Sequence, residues 1–432
     1  MYVNKKNLTL GVIAIFILAT PILKYYNFPG TTVSMESLML LVSVTLMFWV
    51  NNKYSRLLSI RDIYDLNPYF IVLVCILIST FVFDFIINND SSRFYVVIFL
   101  AISTLELYNM QRLTINNWEF FDIFKNLYIK ICIILSIITI LEEIFYITSG
   151  LLVPIKLSCF PLTDEMAPLE YRFGYNGRGG YVGFSPFFSE PAHMAQYMIP
   201  ALVLLLSSEN EKHDEKNVLK MILIEAAIVL STSTFGILAS GIMVVFYLML
   251  GKSIAARRIR KIFLLCLPVI MVVYFYFIRG RLFYDSAGAS SLISADKAGY
   301  RIFRGIAYYV QFPFINQLFG IGFNNFASFI NNHSLHYVND VIADNVVVEY
   351  LNGFSQAIIY GGIVSFLLFC DFVVRLYRKG SSESKTLVIG FVLLMLNAAT
   401  FLRGTSVFYI LVILMLKAQY LKKSNEEHIL NL

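Results

Sequence analysis

Blocks of apolar residues, most of them close to twenty long, recur along the chain and are separated mainly by short polar connections. A helix that crosses a hydrocarbon layer of ~30 Å needs about 20 predominantly apolar residues, so each block reads as a candidate membrane span. The pattern predicts twelve, at about 8–25, 32–50, 68–87, 94–110, 127–148, 194–208, 218–234, 235–251, 261–278, 353–374, 386–402 and 404–420. The first follows Lys5 and Lys6, but Leu18-Ala19-Thr20 is a poor small-residue cleavage site, so an uncleaved first helix is expected. Two spans meet near Phe235 with only Ser231-Thr232-Ser233-Thr234 between them. The expected fold is an all-α integral membrane protein of about 12 transmembrane helices, with two long external loops containing short helices. Its parts are N-terminal helices over 1–148, a first external loop over 149–193, central helices over 194–278, a second external loop over 279–352, and C-terminal helices with a short cytoplasmic tail over 353–432.

Composition supports the same class. Hydrophobic types make up 58% of the 432 residues and charged types 14%, where a soluble domain has ~45–50% and about 25%. Too little polar or basic surface remains for an ordinary cytosolic enzyme, a disordered chain or a nucleic-acid binder. The net charge is +6, and about two thirds of the 34 Lys and Arg fall on the side of the N-terminus. Most of the others lie in the two long loops. Both termini are therefore expected in the cytoplasm and both loops outside. An external site has no access to ATP or nucleotide-sugars, so its substrate would arrive within the membrane. Cys75, Cys132, Cys266 and Cys370 lie in apolar runs and Cys159 in a polar connection, so no disulfide framework is expected.

Long connections in a compact bundle are where function concentrates. The first contains Arg172 and then Gly174, Gly177, Arg178, Gly179, Gly180 and Gly183, followed by Ser189-Glu190-Pro191-Ala192-His193. Glycines let the backbone approach a ligand closely, and Arg178 can fork onto a phosphate or carboxylate. A flexible loop whose arginines pair with lipid headgroups fits the same residues. The second carries Gly299, Arg301, Arg304 and Tyr308, then Gly320-Ile321-Gly322. Arg301, Arg304 and Tyr308 would share one helix face, a plausible clamp for a diphosphate. An amphipathic helix resting on anionic headgroups is the alternative. His333 and His336 precede Asp340, Asp344, Glu349 and Asn352; these imidazoles could act as bases or simply be solvated. No HExxH, GxSxG, GxxxxGK[ST] or Cys/His cluster occurs. Among acidic residues, Glu106 is expected near an inner span end, whereas Glu225 lies mid-span and demands a partner.

Twelve or so spans, a first loop of the form Arg178…Gly183…Glu190-Pro191…Ala195, and a second with Gly299-x-Arg301 and Gly320-Ile321-Gly322 resemble the O-antigen polymerase and ligase superfamily, the Wzy-type repeat-unit polymerases in particular. Gly361-Gly362 in a late span extends the likeness. The resemblance implies a metal-independent, inverting glycosyl transfer, without cofactor, on the outer face of a bacterial inner or cytoplasmic membrane. An undecaprenyl-diphosphate-linked oligosaccharide would be donor and acceptor, with membrane lipids, a flippase and a chain-length regulator as partners. It assigns diphosphate binding to Arg178 and Arg301, and substrate contacts to Arg172, Arg304, Tyr308, Gly320 and Gly322. Ligases of the superfamily carry a histidine just before the late glycine-containing span, where this chain reads Glu349-Tyr350-Leu351-Asn352-Gly353. That favours polymerase over ligase. It leaves the base unassigned among Glu190, His193 and His333, in falling order. A non-enzymatic flippase is the reading from a different class.

Overall fold

The computed structural model describes residues 5–31, 33–58, 64–83, 94–117, 119–163, 167, 170, 173–178, 181–207, 214–250, 304–323, 325–333, 335, 351–378, 380–398 and 400–430. The expected span at 261–278 lies outside them. Helices occupy the other expected places: α1 (Lys5–Leu23), α2 (Met35–Tyr54), α3 (Asn67–Phe81), α4 (Phe94–Asn116), α5 (Glu119–Ser149), α6 (Pro191–Ser207), α7 (Asp214–Leu230) and α8 (Thr234–Leu250). Two short helices, α9 (Phe314–Phe319) and α10 (Phe326–His333), precede α11 (Gly353–Tyr377), α12 (Ser382–Asn397) and α13 (Gly404–Leu430). By length and composition five of these can cross a membrane: α1, α2, α5, α11 and the Gly404–Leu421 part of α13. Shorter apolar stretches lie in α3, α6 and α8. The other helices are shorter or more polar than a full span: α7 has 17 residues and α12 has 16. α4 carries Glu106 and Arg112, and α7 and α12 begin with charged turns.

The helices close into a ring. Its order is α3, α11, α12, α8, α7, α5, α1, α2, α4 and back to α3, with α6 enclosed against α5, α7, α8, α12 and α13. α13 runs through the middle and touches α1, α4, α6 and α12. Its apolar window is 72% buried, against 33–50% for the other four long spans. A helix that is apolar all round belongs in such an enclosed place. Side-chain caps fix several helix starts: Ser34 accepts from Ser37 N, Asn352 from Ser355 N and Ser381 from Ser384 N.

One end of the bundle is tied by basic side chains. Arg112, on α4, is buried and donates to the carbonyls of Asn51 (3.1 Å), Ser55 (2.9 Å) and Arg56 (3.0 Å) and to Asn52 Oδ1 (3.2 Å). These groups surround the C-terminus of α2, whose last carbonyls have no partner within the helix. Lys417, inside α13, donates to Asp65 Oδ2 (2.7 Å) and to the carbonyl of Arg375 (2.8 Å). Arg375 in turn pairs with Asp371 at 2.8 Å and donates to Tyr64 O at 3.1 Å. The central helix is thus pinned to α11 and to the connection before α3.

Three expectations are corrected. The first long connection holds a β-hairpin among its described residues, not short helices: β1 (Tyr175–Arg178) pairs antiparallel with β2 (Tyr181–Phe184), Tyr175 opposite Phe184 and Arg178 opposite Tyr181. Nor is that connection loose. Asn27 N donates to Pro161 O (2.8 Å), Thr163 N to Tyr25 O (3.0 Å) and Ile155 N to Glu142 Oε1 (2.7 Å). Burial pushes the Tyr26 phenol up to about 12. It stays protonated and donates to Phe187 O while accepting from Leu157 N. Glu106, expected near a span end, is buried inside the longer α4 and lines a cavity with Glu36, Thr20 and Ser103. Glu225 does have a partner: Ser240 on α8 donates to it at 2.7 Å. The described cysteines, Cys75, Cys132, Cys159 and Cys370, are free.

Replacing Arg112 with Met should remove four hydrogen bonds, one of them to the buried Asn51 carbonyl, and lower stability by about 1–3 kcal/mol. Lysine should restore only part of this, because it cannot fork across them. Thermal unfolding of the purified protein in detergent checks both; an unchanged midpoint for Arg112→Met would show that the caps contribute little.

Candidate functional site

At the opposite end of the bundle, α11 is interrupted. Gly362 has φ 70° and ψ −175°, a conformation essentially restricted to glycine, although helix continues on both sides. In an unbroken helix the carbonyls of Ile359 and Tyr360 would accept from residues four positions further on. Here they accept from the second long connection: Ile321 N donates to Ile359 O and Gly322 N to Tyr360 O, both at 3.0 Å. Gly320, with φ 77° and ψ −171°, lies flat against the Tyr360 carbonyl, and Gly362 lies against that of Leu318. A side chain at either position would collide with backbone. Gly322 packs on Thr80 of α3, whose hydroxyl accepts from Phe323 N at 2.8 Å. Gly320 and Gly322, expected from the resemblance to contact substrate, are thus engaged in seating the connection on α11 and α3.

Just before this joint, 304–309 is helical. The Arg304 guanidinium lies over the Tyr308 ring, 5.6 Å from its centroid, and Tyr308 meets Phe326 edge-on at 5.2 Å. One turn separates the two residues, as the i,i+4 spacing requires. The structure encloses them: Arg304 is 2% exposed and Tyr308 1%. The expected outward-facing clamp is here a buried cation–π pair. His333 ends α10, stacks on Phe329 at 4.1 Å and hydrogen-bonds Phe329 O through Nδ1 at 3.0 Å. Its ring belongs to its own helix surface.

The first connection contributes a second cluster. Pro191 starts α6, and His193 falls in its first turn. The Ser189 hydroxyl is 2.8 Å from His193 Nδ1, and the Tyr25 hydroxyl 3.1 Å from Nε2. His193 and Tyr25 line a small cavity of about 10 Å³, room for about one water, together with Lys24, Thr405, Phe188, Tyr197 and Phe408. Glu190 is exposed beside it, and its carbonyl accepts from His193 N.

The turn between α12 and α13 joins the two clusters. Thr405 borders the His193 cavity, while Arg403 lies over Phe323 at 5.9 Å and Phe401 N donates to Gln356 Oε1 at 3.1 Å. Leu402, buried, has φ 60°, an unusual value for a branched side chain. Arg403 therefore stands at the start of the central helix, between the segments that the sequence singled out. Lys24, Tyr25, Ser189, Arg403 and Thr405 were not among the expected site residues. A lone arginine between the apolar runs 386–402 and 404–420 was the one signal available for them. Arg172, Arg301 and His336 lie outside the described residues, and of Arg178 only the backbone in β1 is described. No protein-family model matches the chain, and no curated protein matches it.

Gly362→Ala should cost about 1–3 kcal/mol from the backbone alone, with the collision against Leu318 added. Gly241→Ala, at an open position inside α8, should leave stability unchanged or slightly raised. Equal unfolding midpoints for the two variants in detergent would mean that the α11 joint is not formed.

Proposed function

We propose that the protein is a membrane transferase acting on an anionic, lipid-linked glycan, and within that class a polymerase of undecaprenyl-diphosphate-linked oligosaccharide repeat units. The observation that carries this reading is the placing of Lys24, Tyr25, His193 and Thr405 around one small cavity beside the first turn of α13, with Arg403 at the start of that helix. Two cations and a helix N-terminus suit a diphosphate leaving group. In the reaction, an acceptor hydroxyl attacks the anomeric carbon of the donor. The bond from that carbon to the diphosphate oxygen breaks, the lipid diphosphate leaves with the electron pair, and the hydroxyl proton passes to a base. Ser189 and Tyr25 fix the His193 ring, but burial and the neighbouring Lys24 lower its pKa to about 3, so it acts as a neutral hydrogen-bonding group and Glu190 stays ahead of it as the candidate base. Arg304 and Tyr308 act as positioning residues, and Arg178 and Arg301 keep the diphosphate-binding roles that the sequence resemblance gives them.

A carrier reading draws less support from the same fold. A flippase needs a cavity along its axis, whereas among the described residues α6 and α13 occupy the interior.

Reconstitution with a synthetic diphosphate-linked repeat unit separates these readings: chain growth is expected, and transbilayer movement without growth would overturn the transferase. Arg178→Ala, Arg301→Ala and Arg403→Ala should each lower the rate of chain growth by about 100-fold or more at unchanged protein level. Lysine at these positions should rescue poorly because it cannot fork. A normal product ladder from any one alanine variant would remove that residue from the site.

A further inference from the structure

The stretch 304–319, read from sequence as part of an external loop, is apolar on two faces. Its inner face, with Tyr308 and Phe312, packs into the bundle core. Its outer face carries Ile306, Val310, Phe314, Ile315 and Phe319, of which Val310, Phe314 and Ile315 are 62%, 72% and 70% exposed. Water would be a poor neighbour for so many large apolar side chains in so short a segment. The polar side chains of the stretch are turned back on its own backbone. Gln311 Nε2 donates to Ala307 O (2.8 Å), Gln317 Nε2 to Val310 O (3.2 Å) and Asn316 Nδ2 to Gly320 O (3.4 Å), while the Tyr309 hydroxyl donates to Gln317 O (2.8 Å). Carbonyls at the ends of short helices, which water would otherwise solvate, are thereby satisfied internally, as surroundings without water require. The outer face also continues onto a neighbour. Ser79 of α3 donates to Phe319 O at 2.7 Å, and beside this contact α3 exposes Ile78 and Phe81.

From these observations we propose that 304–319 is an interfacial element whose outer face is covered by lipid acyl chains of the leaflet at this end of the bundle, continuous with the lipid-facing side of α3. The second connection then reaches its site from within the membrane boundary, and Arg304 lies at headgroup depth. An apolar face at the boundary of headgroups and acyl chains is where such a segment can lie, above the depth at which lipid-exposed irregular backbone is excluded. The proposal does not depend on the transferase reading.

The chain has only two tryptophans, Trp49 and Trp118, so a full-length background with both replaced by Phe admits a single reporter. Val310→Trp and Phe314→Trp, made separately in it and checked for monodispersity, would be placed in phosphatidylcholine–phosphatidylglycerol vesicles. The expected result at both positions is blue-shifted emission that loses most of its intensity when the acyl chains are brominated and little with aqueous iodide. Quenching by iodide and not by brominated lipid would overturn the proposal by placing the face in water. Protection from both quenchers would overturn it equally, because protein, a second copy or a partner, would then be the cover. Neither readout involves activity, so failure here is distinct from failure of the proposed chemistry.

Discussion

The joint between α11 and the second long connection is the constraint on which the loop end of the bundle depends. A helix interior has no spare hydrogen-bonding groups, so another segment can dock by backbone only where the helix opens. Gly362 opens α11, and two freed carbonyls take up Ile321 and Gly322. That exchange pairs both carbonyls with both amides in a place where an unmet carbonyl would be costly. It also fixes the direction from which Arg304 and Tyr308 enter the fold, and it brings Phe323 beneath Arg403.

The two ends of the bundle use polar chemistry for different purposes. At one, Arg112, Arg375 and Lys417 serve helix termini and carboxylates, and their role is structural. At the other, Lys24 and His193 line a small cavity, and Arg403 stands over Phe323 at the start of α13. Under the proposed function, polar groups at this end of the bundle would work at a surface, with substrate arriving from the side. An apolar face on 304–319 gives that lateral approach a physical boundary.

Helix positions were legible because long apolar runs have few alternatives in a chain this hydrophobic; α1, α2, α5, α11 and α13 all stand where hydropathy placed them. The β-hairpin was not legible, since Tyr175 to Phe184 is glycine-rich and its strands are four residues each. Arg304 and Tyr308 were correctly put on one helix face, yet spacing cannot tell whether such a face looks outward or inward. Gly320, Gly322 and Gly362 were visible as glycines, but their reason lies in tertiary contacts between segments forty residues apart. Arg403 was overlooked because a single arginine between spans reads as an ordinary loop charge until the fold places it above Phe323.

Hydrogen–deuterium exchange of the protein in nanodiscs, read at the level of peptides covering 318–323, tests the joint most directly. If Ile321 and Gly322 donate to the opened turn of α11, these amides should exchange as slowly as those of the flanking helix in 353–361. Exchange of 318–323 as rapid as that of a solvent-exposed turn would contradict the joint, and with it the placement of the second connection against the bundle.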